Sequence, residues 1–99
     1  MPKQRYMAAH NYGMGSIIVY IHADSAEDIV SRYPELEVID EAQFFSVQRP
    51  EWVEALKRKI ETYQTYDLDD APRGFLKGLL EDRALRSQLY DEFGKPRRR

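Results

Sequence analysis

The chain has 99 residues, 42% of them hydrophobic and 32% charged, with a formal charge of −2. A chain of that length supports one core and not two, its longest apolar run, residues 17–21, is far too short to span a bilayer, and the absence of cysteine excludes disulfides, thiolate nucleophiles, iron–sulfur clusters and cysteine zinc sites. With Lys95, Arg97, Arg98 and Arg99 set aside, the charge of the remainder is −6, which argues against a broad phosphate-binding face. The polar N-terminus has no apolar segment of the secretory type, so a cytoplasmic location is the expectation.

Residues 5–10 alternate weakly as a strand, and Asn11, Gly13 and Gly15 supply residues that tolerate positive φ, which predicts a hairpin turn. Residues 16–22 are rich in β-branched and aromatic side chains, with Ile17, Val19 and Ile21 on one face and Ile18 and Tyr20 on the other. Both faces are apolar, so this strand is expected to be central, or to have its second face covered by the C-terminal helices or by a partner. Asp24 or Ser25 caps the helix that follows, with Glu27 and Asp28 at capping-box spacing. Ala26, Ile29, Val30 and Tyr33 share one helical face, and Pro34 ends the helix.

Leu36, Val38 and Ile39 read as a short strand, and residues 44–47 as a fourth strand or an apolar loop. Pro50 suits the first turn of a second helix, whose apolar stripe is Trp52, Leu56, Ile60 and Tyr63. On its opposite face Glu54 with Arg58 and Lys57 with Glu61 have the spacing of i, i+4 ion pairs. A break at residues 67–72 precedes the last helical region, which Asp69 or Asp70 caps and which runs to about Phe93 as one bent helix or two short ones meeting near Glu81 and Asp82. The expected fold is therefore α+β: a small antiparallel sheet in the order β-β-α-β, then two or three C-terminal helices. Residues 1–94 form the single domain, and residues 95–99 a disordered basic tail.

Few residues carry chemistry. His10 and His22 lie at opposite ends of the predicted hairpin, about 20 Å apart at about 3.3 Å per residue, too far for a shared metal site within one chain. Asp67, Asp69 and Asp70 begin like a calcium loop, but Ala71 and Pro72 stand where a further oxygen ligand and the glycine are needed, so helix capping explains them. Gly13 and Gly15 precede a strand and not a helix, unlike a phosphate-binding turn. No serine-nucleophile signature is present. No metal or cofactor is expected.

Seven tyrosines, four phenylalanines and one tryptophan are a composition that suits recognition surfaces as well as cores. The leading expectation is a small non-catalytic module working through protein contacts or self-association. One alternative is a ligand-binding protein or minor enzyme of ferredoxin-like type, with His10, Tyr12, Tyr20 and His22 supplying polar groups to a pocket between sheet and C-terminal helices. A further alternative is nucleic-acid or anion contact through Lys95, Arg97, Arg98 and Arg99.

The stretches His10-Asn-Tyr-Gly-Met-Gly15, Ile21-His-Ala-Asp-Ser-Ala-Glu27 and Arg32-Tyr-Pro-Glu-Leu-Glu-Val38 resemble a loose group of small bacterial proteins. These have a glycine hairpin, a Ser-Ala-Glu helix and a Tyr-Pro-Glu-Leu-x-Val strand. The resemblance covers residues 5–39, with an echo at residues 66–70. No activity is established for that group, so the resemblance implies no site residues. The Ala-Asp-Ser-Ala-Glu helix start is also similar to that of small dimeric ferredoxin-like proteins, a likeness of capping chemistry more than of ancestry that lends a dimer a little weight.

Overall fold

A computed structural model describes residues 2–89 of the chain. Strands β1 (Gln4–Asn11) and β2 (Ser16–Ala23) form the predicted antiparallel hairpin. Its turn rests on Gly13, whose φ of +90° only glycine adopts readily, and the Asn11 side chain accepts from the Gly13 N–H at 2.9 Å. Helix α1 (Ala26–Arg32) is capped by Ser25, whose Oγ accepts from the Asp28 N–H at 3.2 Å. It leads into β3 (Glu37–Ile39), which pairs antiparallel with β1.

The next segment departs from expectation. Residues 44–46 are neither strand nor loop but the end of helix α2 (Glu41–Ser46), and Val47 is in the turn that follows. The cap of α2 is Asp40, whose carboxylate accepts from the Gln43 N–H at 2.9 Å. Helix α3 (Pro50–Tyr63) follows with proline in its first turn. The fourth strand is β4 (Thr65–Asp67), which lies parallel to β2. The sheet is thus mixed, in the order β3-β1-β2-β4, where the sequence suggested an antiparallel one. Helix α4 (Gly74–Leu89) is continuous through Glu81 and Asp82, and it starts at Gly74 and not after Asp69 or Asp70. The Tyr66 hydroxyl accepts from the Phe75 N–H at 3.2 Å at that start.

Side-chain alternation divides the hairpin between two cores. Ala8, Val19, Ile21 and Ala23 face α1 and α4, burying Ile29, Tyr33, Leu76 and Leu79. Met7 and Tyr20 face the other way against Ile60, with Phe44, Phe45 and Leu56 packed around them. The second face of β2 is therefore covered by the chain's own α2 and α3. Among the described residues no helix is long and apolar enough to cross a membrane.

Candidate functional site

The four residues proposed as ligand groups do not converge. His10 is on the α1 and α4 face of β1, opposite Ile17 in register, whereas His22 is opposite Arg5 on the α2 and α3 face of β2. Five positions of strand, about 17 Å at about 3.4 Å per residue, separate the two registers. Tyr12 stands in the turn, and Tyr20 is fully buried. Lys95, Arg97, Arg98 and Arg99 lie outside the described residues. Among the described residues no group of three or more His, Cys, Asp or Glu side chains is placed to hold a metal ion.

Tyr20 belongs to a partly buried polar contact. Its hydroxyl donates to Glu41 at 2.6 Å, the Arg5 guanidinium lies 4.0 Å from its ring centroid, and Arg5 reaches Glu41 at 3.6 Å and Glu61 at 3.9 Å. Burial first, and the Glu41 carboxylate second, push its phenol far above the ordinary tyrosine value. A phenol so placed is not a proton donor or base at neutral pH; it anchors α2 to the sheet. Glu61 is thereby turned to Arg5, not to the Lys57 that its helix spacing suggested.

At the rim of the sheet, Lys3 spans Asp67 at 2.6 Å and Asp69 at 2.5 Å. Two of the three aspartates, Asp67 and Asp69, thus tether the N-terminal segment through Lys3. Lys3 beside it, then the Asp69 N–H, hold the Asp67 carboxyl below the usual carboxylate range. A carboxyl whose pKa is lower folded than unfolded adds stability above its unfolded value, near 4, that is lost as pH falls through the folded one. Asp67→Asn is therefore expected to flatten the acid limb of a plot of melting temperature against pH at low salt. An acid limb as steep as that of the parent would contradict the assignment.

His10 lines a half-open cleft of about 340 Å³ with Pro34, Glu35, Leu79, Asp82, Arg83 and Arg86. Its charges are engaged with one another: Arg83 forks onto Glu35 and also donates to the Arg32 carbonyl, and Arg86 pairs with Asp82 at 3.1 Å. The His10 ring packs tilted on Phe75, centroids 5.7 Å apart. A charged ligand entering here would first have to break an ion pair.

Open hydrogen-bonding groups also lie along the backbone of β2. The Tyr20 N–H donates to the Gln64 carbonyl at 2.8 Å and the His22 carbonyl accepts from Leu68 at 2.9 Å, so the even-numbered residues of β2 direct both main-chain groups away from β1. Strand β4 begins only at Thr65, opposite Tyr20. Among the described residues no strand continues it alongside residues 16–19, and the N–H and C=O groups of Ser16 and Ile18 point outward with no strand to meet them.

Beside this edge runs a groove of about 320 Å³ lined by Ile17, Ile18, Leu56, Lys59, Ile60 and Tyr63, among others. Of the stripe expected to be buried on α3, Ile60 is buried, whereas Trp52 and Tyr63 are exposed. Tyr63 is 71% exposed and Met14, in the turn leading to the edge, 93%. Open backbone and apolar groove form one surface that residue identity alone did not single out. Its only sequence signal was a run, residues 16–21, that is neutral, β-branched and apolar on both faces. No family model, no curated protein and no solved structure matches this chain.

Proposed function

We propose that this protein is a non-catalytic interaction module that takes up an extended strand from a protein partner on the open edge of β2. The observation that carries the proposal is the pair of outward-facing, unmatched residues Ser16 and Ile18 next to an apolar groove. Strand addition combines these two elements: main-chain hydrogen bonds supply affinity, and pockets for alternate side chains supply selectivity. Among the devices by which proteins blunt an unused sheet edge are lysine, proline, a bulge and an inward charge. Residues 16–19, Ser-Ile-Ile-Val, have none of these residues, which fits an edge that is used.

Ser16→Pro provides the test. Ser16 is exposed and its N–H points away from β1, so proline removes one outward donor and adds bulk at the edge while leaving the β1 ladder intact. Native mass spectrometry of the full chain is expected to show a complex, with a copy of itself or with another chain, that this substitution abolishes while the circular dichroism spectrum is unchanged. A chain that forms no complex, or a complex that Ser16→Pro leaves intact, would overturn the proposal.

A further inference from the structure

We infer that the occupant of the β2 edge is a second copy of this chain, paired antiparallel about a two-fold axis that passes between the two Ile17 residues. The inference rests on the strand-uptake function proposed above and fixes its partner. The outward groups are two N–H and two C=O, on Ser16 and Ile18. In a two-fold pairing with Ile17 opposite Ile17, Ser16 faces Ile18 of the partner copy and Ile18 faces its Ser16. All four groups of each copy are then satisfied and the bond from Tyr20 to Gln64 is undisturbed. A register centred on Ile18 would place Ser16 against Tyr20, whose N–H is already committed.

The same register accounts for the exposed side chains. Beyond the four-group pairing, the outer side of Tyr20 in the other copy is occupied by Thr65 of its β4, so the partner strand leaves the sheet before that point and its Met14 is directed toward the second copy's Tyr63. Tyr12, 55% exposed, closes over Gly15 at the start of the edge. The exposed parts of Met14, Tyr63 and Tyr12 amount to roughly 400 Å² per copy, taking about 200 Å² for a whole side chain of this size. With both copies counted and the strand edge added, the area approaches the ~1,000 Å² that a specific interface needs.

Charge favours this meeting place. Residues 11–21 carry no charge, and Lys59 is the one charged side chain lining the groove, so two acidic bodies can approach here without opposing carboxylates. The other edge, β3, offers three residues, among them Glu37, and is followed by Asp40. Pairing β2 of one molecule with β3 of the next would be heterologous and open-ended, whereas β2 against β2 closes at two copies.

The absence of cysteine makes a direct test clean. In this register the Cα atoms of the two position-17 residues form a non-hydrogen-bonded pair about 4.5 Å apart, within disulfide reach, whereas the two position-19 Cα atoms are about 14 Å apart. Under mild oxidation Ile17→Cys is expected to give a disulfide-linked dimer and Val19→Cys is not. Sedimentation equilibrium of the unmodified chain is expected to give twice its 11.7 kDa mass, halved by Ser16→Pro. A monomer by sedimentation, or equal cross-linking at positions 17 and 19, would overturn the inference. If the chain is monomeric yet forms a complex with a different chain that Ser16→Pro abolishes, the second copy is wrong and strand uptake stands. If no complex of either kind forms, both fall.

Discussion

Replacing Tyr20 by alanine is expected to lower the free energy of unfolding by about 3–5 kcal/mol, as large aromatic truncations in a core do. The ring is fully buried, with Met7 and Ile60 as buried neighbours and Ile18, Ile39, Phe44, Phe45 and Leu56 around them. Its loss opens a cavity where α2 and α3 meet the sheet. It also removes the surface on which the Arg5 guanidinium lies and the hydroxyl that donates to Glu41. Domains of this size are stable by about 5–15 kcal/mol in total, so the substitution removes a large part of what holds the second face closed. Tyr20→Phe keeps the ring and loses only the donor. Because Glu41 retains Arg5 at 3.6 Å, its cost is expected near 1–2 kcal/mol. Urea unfolding followed by far-ultraviolet circular dichroism separates the two, with a common slope expected for all three proteins. If alanine cost no more than phenylalanine, the ring would not be the keystone of that core, and α2 and α3 would owe their position to contacts elsewhere.

This core also marks where the sequence was legible and where it was not. The hairpin, α1 and its Ser25 cap follow from local chemistry, glycines at a turn, period-two apolar residues and a hydroxyl three residues before an acidic side chain, and each forms as expected. Helix α2 was misread because Phe44-Phe45 with Val47 mimics a short strand. The signal that would have corrected it, Asp40 with Gln43 three residues on, is a cap of the same kind as Ser25 with Asp28. Strand β4 has three residues directly after a helix, too few to show a period, and its place beside β2 is fixed by tertiary pairing. The α4 start was placed too early because Asp69 and Asp70 look like caps, while Asp69 is engaged by Lys3 and the helix begins against the Tyr66 hydroxyl.

The candidate site was illegible for a related reason. Residues 16–22 read as one central strand, apolar on both faces, but among the described residues only 20–22 are flanked by a strand on both sides. The remainder is an edge because β4 is short, and the length of β4 is a property of a segment more than forty positions later. Polar residues drew attention to His10, Tyr12, Tyr20 and His22 as chemistry, whereas the open groups are main-chain ones that every residue possesses. In Tyr63, the stripe logic placed a side chain on the right side of α3 but could not foresee that the sheet beneath ends before covering it.

Helix α4 supplies the second large expected effect, because its two halves differ in what they touch. Leu76 is buried among the residues of the α1 face, and Leu76→Ala is expected to cost about 2–4 kcal/mol. Residues 81–87 are all exposed, Leu85 among them, and Leu85→Ala is expected within about 0.5 kcal/mol of the parent. Between the halves, Arg83 clamps Glu35 and the Arg32 carbonyl, tying the helix to the connection between α1 and β3 with a pair too exposed to contribute more than about 1 kcal/mol. Chemical unfolding of the two variants reads the contrast directly. A Leu85→Ala cost comparable to that of Leu76→Ala would mean that the distal half is packed against something that residues 2–89 do not provide. If the contrast holds, the apolar anchoring of α4 among residues 74–87 lies in its first two turns, with Arg83 adding the polar clamp. The α1 face is then closed independently of whatever occupies the β2 edge, and a strand can be added there without disturbing the larger of the two cores.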